Sequence, residues 1–308
     1  MKIVMTGRFP AEIEEKIRSQ FPEEWSLRIV PPEEAEKELA DAHVLIPEHM
    51  PVTAELLDGA PRLRLVQTGA GYDNVDLAAC TARGIQVCCA AGVNAGAVAE
   101  HVMAVLLCRY KNLLPLDAAM KERREGELRY AGAELTGKSI GIVGLGRVGR
   151  RTAALAAAFG MRVLGCSRSG LPVPGVQLRD LDSLCRESDV ISLHVPLNES
   201  TRHLIDADRL RLMKRDALLI NTSRGAVVDQ EALIRALESG QIGGACLDVF
   251  EEEPLPDESP LRDLENVILT PHTAGLPDGV KYHRRRIDFF VRNIRKLLKR
   301  ETPDCRVN

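Results

Sequence analysis

Short apolar runs rich in β-branched residues alternate with amphipathic segments along the N-terminal part of the chain. The apolar runs occupy residues 2–5, 43–46, 63–67 and 85–88, and residues 11–18 have the charge and spacing of a helix. Such alternation is typical of a parallel sheet whose two faces are covered by helices. The pattern therefore predicts an α/β domain at the N-terminus.

A second alternation of the same kind begins near residue 138. Its apolar runs cover residues 140–143, 162–166, 190–193, 217–220, 245–248 and 267–269, and six strands make a complete doubly wound sheet. Upstream of it, residues 94–120 have the composition of one long, mostly apolar helical region, and residues 121–126 are charged and loop-like. We therefore predict a second α/β domain that covers residues 94–275.

The C-terminal segment, residues 280–299, has helical spacing and a basic end. Such a helix is expected to return to the N-terminal domain, which would then be discontinuous and consist of residues 1–93 and 276–308. The chain has 308 residues, which is enough for two domains that each bury a core. Within the segment, the three consecutive arginines 284–286 are interpreted as a solvated face rather than a phosphate site.

Composition and charge narrow the class of function. Hydrophobic residues make up 45% and charged residues 28% of the chain, and its net charge is −3, so nucleic acid and anionic membranes are not expected partners. No apolar run has the length of a membrane span, and the N-terminus breaks too early for a signal peptide, which predicts a cytoplasmic protein. The eight cysteines include no Cys-x-x-Cys pair and are interpreted as small buried residues, so no metal is expected.

A glycine motif follows the first strand of the second domain. Gly144, Gly146 and Gly149 form a G-x-G-x-x-G pattern between the apolar run at residues 140–143 and an alanine-rich helical segment. In this context the first glycine permits a tight turn, the second admits a pyrophosphate to the backbone, and the third allows close packing of helix and strand. The motif predicts a dinucleotide site.

The position that usually reads the cofactor ribose lacks an acid. About 20 residues beyond the glycines an Asp or Glu normally binds the ribose 2′-hydroxyl, but here Ser167 and Arg168 follow the strand. A guanidinium beside a hydroxyl suits a 2′-phosphate, since it donates a fork of hydrogen bonds and no carboxylate repels the anion. We expect NADP to be preferred over NAD, with a solvated Arg168 and NAD binding as the alternative.

Three later strands end in residues that can do chemistry. Arg224 follows residues 217–220, Asp248 ends the run at residues 245–248 and is followed by Glu251, Glu252 and Glu253, and His272 follows residues 267–269. The carboxyl ends of parallel strands meet at the edge where a doubly wound sheet binds its ligands. An arginine, an acid and a histidine are therefore expected at one site.

These residues resemble the D-isomer-specific 2-hydroxyacid dehydrogenase family, which includes glyoxylate/hydroxypyruvate reductases, D-lactate dehydrogenases and D-3-phosphoglycerate dehydrogenases. The similarity covers nearly the whole chain: GAGYDNVD at residues 69–76, VAEH at 98–101, the glycine motif, HVPL at 194–197, the three strand ends and the final Val307-Asn308. The resemblance implies two doubly wound parallel-sheet domains, a Rossmann cofactor domain and a flavodoxin-like substrate domain. It also implies a homodimer formed through residues 94–120.

The resemblance implies catalytic roles for Arg224, Glu253 and His272, in which Arg224 binds the substrate, His272 is the general acid/base and Glu253 orients His272. The motif and the resemblance together predict that the cofactor is bound by Gly144, Leu145, Gly146, Arg147, Val148, Gly149, Ser167, Arg168, Val195, Pro196, Thr222, Asp248 and His272. Asp248 is expected on the nicotinamide side. The predicted substrate-binding residues are Thr68, Gly69, Ala70, Gly71, Arg224 and His272.

The chemistry agrees with these roles. Hydride reduction of a ketone builds negative charge on oxygen, which a protonated imidazole relieves by donating its proton, and a neighbouring carboxylate stabilises that protonated form. Arg224 would neutralise the substrate carboxylate and the developing alkoxide. Glu251 and Glu252 are alternatives to Glu253 as the acid, and four other histidines, at positions 101, 194, 203 and 283, are expected to pack, cap or lie at the surface.

Glyoxylate and hydroxypyruvate are the expected substrates, because the loop at residues 68–71 offers small side chains and no apolar pocket. Two alternatives stay open: a cofactor-sensing binding module like the corepressors that resemble this family, and a D-3-phosphoglycerate dehydrogenase-type enzyme.

Overall fold

The computed structural model describes residues 1–48, 50–124, 132–276 and 284–308. It divides into two compact units: a first unit made of Met1–Asn94 and Val280–Asn308, and a second unit made of Ala95–Gly279. Each unit contains one parallel sheet, so the predicted class of two doubly wound α/β sheets is confirmed. Among the described residues no helix is both long enough and apolar enough to cross a membrane.

The sheet of the first unit has five parallel strands in the order β2-β1-β3-β4-β5. Its strands are β1 (Lys2–Thr6), β2 (Ser26–Val30), β3 (Val44–Ile46), β4 (Leu65–Thr68) and β5 (Gln86–Cys89), and its helices α1 to α4 are Ala11–Arg18, Ala35–Leu39, Ala54–Asp58 and Leu77–Ala82. This strand order is the flavodoxin-like one, whose switch point lies between β1 and β3. The sequence pattern missed β2, an edge strand whose exposed Ser26 and Arg28 interrupt any apolar run.

The second unit begins with two helices, α5 (Ala95–Tyr110) and α6 (Leu113–Lys121). The region predicted to be helical, residues 94–120, is thus helical over almost all its length, but it consists of two helices rather than one. Asn112, with φ of 54°, lies in the left-handed region that ends a right-handed helix. Asparagine tolerates that conformation. Because the segments on either side of it are both mostly apolar, the hydrophobic pattern does not indicate where the first helix ends.

The sheet of the second unit has seven parallel strands in the order β12-β11-β10-β9-β6-β7-β8. They are β6 (Ser139–Val143), β7 (Arg162–Cys166), β8 (Gln177–Leu178), β9 (Val190–Leu193), β10 (Leu218–Asn221), β11 (Gly244–Leu247) and β12 (Val267–Leu269), with helices α7 (Arg147–Ala158), α8 (Leu181–Glu187), α9 (Ala207–Leu212) and α10 (Gln230–Glu238). The six expected strands are present, and the short β8 adds a seventh. The order reverses at β6, between β7 and β9, which is the switch point of a doubly wound sheet.

The last helix, α11 (Arg284–Leu298), belongs to the first unit. Its apolar face, which includes Ile287, Phe290 and Ile294, packs in one core with Ile3 and Met5 of β1. Residues 280–283 of the predicted helix lie outside the described residues.

Candidate active site

The glycine turn lies at the switch point of the second sheet. Gly144 has φ of 97°, and a Cβ there would collide with the carbonyl oxygen of His194 at the end of β9. A Cβ on Gly149 would collide with the carbonyl oxygen of Gly144. Gly146 is the N-cap of α7, and a Cβ at this position would meet no atom within 4 Å. Two glycines are thus required by packing, while the third leaves open space before the helix.

That open space suits a pyrophosphate. The first turn of α7 contains no acidic residue, and its N–H groups and dipole favour an anion. Arg147 and Val148 lie in this turn, and Leu145 is buried beneath it. The residues therefore fit the phosphates of a dinucleotide.

The other predicted cofactor residues follow neighbouring strands. Val195 and Pro196 come after β9, and Cγ1 of Val195 lies 2.9 Å from the position a Cβ on Gly144 would take. Thr222 follows β10, and its hydroxyl is buried without a hydrogen-bond partner among the described residues. Leaving a buried hydroxyl unsatisfied is costly, so Thr222 is suited to a bound ligand.

Residues 167–176, which directly follow β7, include no Asp or Glu. Ser167 is half-buried, with its hydroxyl 3.4 Å from that of Ser169. Arg168 is exposed and makes no ion pair within the described part of the chain. The end of β7 therefore presents hydroxyls and a cation to the position where the ribose is expected.

Asn221, the last residue of β10, shapes the turn that carries Arg224. Its Oδ1 accepts hydrogen bonds from the backbone N–H of Ser223 at 3.0 Å and from the Ser223 hydroxyl at 2.8 Å, while its Nδ2 donates to the Arg224 carbonyl at 2.9 Å. A Cβ on Gly225 would collide with the backbone of Phe250. The turn is thus packed against the loop after β11, which carries Glu253. Asn221 was not predicted, although Asn two residues before Ser is a common turn signal.

His272 and Glu253 form a hydrogen-bonded pair. Nδ1 of His272 lies 2.7 Å from Oε2 of Glu253, whose Oε1 accepts the backbone N–H of Phe250 at 3.1 Å. The two neighbouring carboxylates have other surroundings. Oε1 of Glu251 lies 2.8 Å from Nε2 of His203, and Glu252 is exposed to solvent. The geometry therefore favours Glu253 over the two alternatives as the partner of His272.

Partial burial alone would raise the pKa of the Glu253 carboxyl. The hydrogen bond from His272, the charge of that imidazole, the Phe250 N–H and the charge of Arg224 outweigh burial, and the net pKa lies below the ordinary value. Glu253 is thus an ionised acceptor near neutral pH, so Nδ1 of His272 carries a proton. This leaves Nε2 to exchange a proton with a substrate.

Asp248 holds the loop that presents His272. Its buried carboxylate accepts the Thr270 hydroxyl at 2.6 Å and the backbone N–H groups of Thr273 and Ala274 at 2.8 and 2.9 Å, while its carbonyl accepts the His272 N–H at 2.8 Å. His272 itself has φ of 55°, a strained conformation of the kind that clusters at active sites. The predicted contact of Asp248 with nicotinamide stays a prediction.

Sequence reasoning missed this anchoring role. It also missed the position of His101, whose Nε2 lies 3.3 Å from the Thr270 hydroxyl and 4.0 Å from Oδ1 of Asp248. His194 is partly buried, with Nε2 3.0 Å from the Ser192 hydroxyl, and desolvation lowers its pKa to about 4. His283 lies outside the described residues.

In the first unit, the last residue of β4 and the loop that follows it carry the other predicted substrate residues. The Thr68 side chain is buried, with its hydroxyl 3.4 Å from the Cys88 carbonyl, and the Gly69 carbonyl accepts the Ala90 N–H at 2.8 Å. The N–H groups of Ala70 and Gly71 donate no hydrogen bond to the described residues. They are therefore available to a carboxylate.

The prediction of a solvated arginine run is wrong for Arg286. Arg284 and Arg285 are exposed, but Arg286 is 9% exposed, forms an ion pair with Glu48 and lies 5.4 Å from the centroid of the Phe290 ring. Three successive helical positions point to different faces, and only position 286 faces the sheet. The sequence offers no local signal for this, because Glu48 is far away in the chain.

Comparisons with known proteins identify the family. The family model for "D-isomer specific 2-hydroxyacid dehydrogenase, NAD binding domain" matches residues 103–274. The chain belongs to the D-isomer-specific 2-hydroxyacid dehydrogenase family. The resemblance inferred from the motifs is thereby confirmed, and the second unit carries the nicotinamide-cofactor domain of this family.

Three relatives illustrate the similarity. The glyoxylate reductase of Thermofilum pendens is 40% identical over 267 residues, which cover 83% of this chain and 78% of the relative. The structure of Aquifex aeolicus D-lactate dehydrogenase complexed with NAD and lactic acid has a TM-score of 0.85 and 33% identity, covering 97% of this chain and 96% of that one. An acyclic imino acid reductase in complex with NADPH and D-Arg has a TM-score of 0.86 and 30% identity over the full length of both chains. Solved relatives of this fold thus bind either nicotinamide cofactor.

Proposed function

We propose that this protein reduces glyoxylate or hydroxypyruvate to the corresponding 2-hydroxy acid. The observation that carries the proposal is the hydrogen bond between Nδ1 of His272 and Oε2 of Glu253, 2.7 Å apart, in the unit that holds the glycine turn. The charge of Arg224 also contributes to the lowered pKa of the Glu253 carboxyl. The family supplies the reaction class, and its glyoxylate reductase members supply the substrate class.

Each residue of the site has its own role in the proposed reaction. A bound nicotinamide cofactor supplies or accepts the hydride at the 2-carbon of the substrate. His272 donates the proton through Nε2, because Glu253 holds Nδ1. Arg224 binds the substrate carboxylate and stabilises the negative charge that develops on the carbonyl oxygen. The N–H groups of Ala70 and Gly71, which donate no hydrogen bond to the described residues, are proposed to bind a substrate carboxylate.

Substrate preference tests this proposal. We expect NADPH- or NADH-dependent turnover of glyoxylate and hydroxypyruvate, slower turnover of pyruvate, and least turnover of a branched 2-keto acid, since residues 69–71 offer no large apolar side chain to pack against a branched substituent. Steady-state kcat/KM over these compounds and 3-phosphohydroxypyruvate provides the measurement. A preference for the branched acid would contradict the substrate assignment, a preference for the phosphorylated acid would favour a phosphoglycerate dehydrogenase-type enzyme, and no turnover would favour a cofactor sensor.

We propose further that NADP is the preferred cofactor, because Ser167 and Arg168 offer a hydroxyl and a guanidinium where a carboxylate is usual. The double variant Ser167→Asp/Arg168→Ala is expected to move the NADPH/NADH ratio of kcat/KM towards NADH by about ten-fold or more. The control is Arg186→Ala, which removes an exposed arginine from α8. A ratio unchanged in the double variant would argue against a 2′-phosphate site at the end of β7.

We also propose that the protein is a homodimer in the cytoplasm. Three large apolar side chains of α6, Leu113, Leu114 and Met120, are between 48% and 61% exposed, and covering them with a second copy would remove this surface from water. Light scattering coupled to gel filtration measures the mass, and a monomer at micromolar concentration would contradict the proposal of a homodimer.

The proposed location in the cytoplasm is tested by cell fractionation.

A further inference from the structure

Polar contacts cross the carboxyl edge of three adjacent strands in the first unit. Thr6 ends β1, and its hydroxyl accepts the backbone N–H of Glu48 at 2.9 Å. Glu48 lies just beyond β3 and forms an ion pair with Arg286 of α11. The guanidinium of Arg286 in turn contacts Gly69, just beyond β4, where a Cβ would collide with Nη2 and lie 3.0 Å from Cζ. These contacts begin at the switch point of the sheet, where doubly wound folds bind ligands.

A second polar residue of α11 holds the same strand. Nδ2 of Asn293 donates to Oε1 of Gln67 at 2.8 Å, and both residues are fully buried. Arg286 and Asn293 are seven residues apart, so they share one face of the helix, and positions 67 and 69 share one face of an extended chain. Helix α11 therefore contacts this part of the chain at two points: Gln67 in β4, and Gly69, the first residue of the Gly69–Gly71 loop.

Stability alone does not account for the buried pair. Glu48 is 7% and Arg286 9% exposed, and replacing such an ion pair with apolar residues of similar volume is often neutral or stabilising. The pair instead orients the guanidinium, because the contacts of Arg286 with Glu48 and with the Phe290 ring hold it against Gly69. Any larger residue at position 69 would remove this contact.

We propose that Arg286, held by Glu48, is a positioning residue that fixes the Gly69–Gly71 loop so that the N–H groups of Ala70 and Gly71 meet the substrate carboxylate. The inference rests on the proposed function for the identity of that carboxylate. Small displacements of such a loop are costly, since misplacement by an ångström can lower catalysis by roughly a hundred-fold.

The decisive variant is the double replacement Glu48→Met/Arg286→Met, which removes both charges and retains side-chain volume. We expect its melting temperature to stay close to that of the wild type and its KM for glyoxylate to rise about ten-fold or more, with the cofactor KM unchanged and a smaller effect on kcat. Arg286→Lys keeps the charge but loses the planar fork, so an intermediate rise in KM is expected and provides a second test if the double variant fails to fold.

The matched control is Arg292→Met on the same helix. Arg292 also lies over an aromatic ring, 5.2 Å from the Phe289 centroid, and also pairs with a carboxylate, Asp304, but it is exposed and does not contact the loop. Its KM for glyoxylate is expected to match that of the wild type.

Amide hydrogen exchange separates this inference from the proposed function, because it needs no turnover. In the double variant, exchange of the Ala90 amide, whose N–H donates to the Gly69 carbonyl at 2.8 Å, is expected to accelerate about ten-fold, while exchange of the Gly144 amide, which donates to the Cys166 carbonyl, stays unchanged. If the wild type reduces no 2-keto acid, the proposed function fails, and the exchange result still decides the positioning role. Unchanged exchange of the Ala90 amide, or a KM within about two-fold of the wild type in a folded double variant, would overturn it.

Discussion

His272→Asn is expected to lower kcat for 2-keto acid reduction about a thousand-fold, the middle of the range for general acid–base catalysis. The variant loses the proton donor whose Nδ1 lies 2.7 Å from Glu253. Asparagine is the suitable replacement, since position 272 has φ of 55° and asparagine tolerates the left-handed region. The loop held by Asp248 is therefore expected to keep its conformation.

The measurement is kcat for glyoxylate reduction at saturating glyoxylate and cofactor, together with cofactor binding. The matched control is His203→Asn, because His203 is also a histidine with positive φ and also pairs with a glutamate, Glu251, at 2.8 Å. Cofactor affinity is expected to be unchanged in His203→Asn and to change by far less than kcat in His272→Asn, since the glycine turn follows β6 and position 272 follows β12. A kcat within about ten-fold of the wild type in His272→Asn would exclude His272 as the general acid.

Arg224→Gln is expected to lower kcat/KM for glyoxylate by about a thousand-fold or more. Loss of one preorganised donor to a developing oxyanion costs roughly 10²–10³ in kcat, and loss of the bidentate carboxylate contact adds a rise in KM. Arg224→Lys is expected to recover part of the loss, because an ammonium keeps the charge without the fork. Both kcat and KM therefore change, in contrast to His272→Asn, which acts mainly on kcat.

Arg235→Gln provides the control, since Arg235 lies in the same unit but pairs with Glu231 on the exposed face of α10. Its kinetics are expected to equal those of the wild type. If Arg224→Gln retained the wild-type KM and kcat, Arg224 would have no contact with the substrate, and the proposed function would lose its carboxylate site.

Most secondary-structure elements and the family could be predicted from local patterns in the sequence. Continuous apolar runs mark strands that are buried on both faces, such as Val190–Leu193, and the glycines at 144, 146 and 149 mark the turn, in which Gly144 and Gly149 leave no room for a Cβ. Because parallel strands place their carboxyl ends along one edge, the sequence also predicted that Arg224, the acidic loop and His272 follow neighbouring strands. Their roles in catalysis stay predictions.

Tertiary structure decided what depends on contacts between distant residues. The choice of Glu253 among three consecutive glutamates follows from which carboxylate meets Nδ1 of His272, and the anchoring role of Asp248 from the N–H groups that turn towards it. The burial of Arg286 follows from its pairing with Glu48, 238 positions earlier in the chain. Local patterns record the conformation that each segment prefers, whereas the partner of a charge depends on how the chain brings separate segments together.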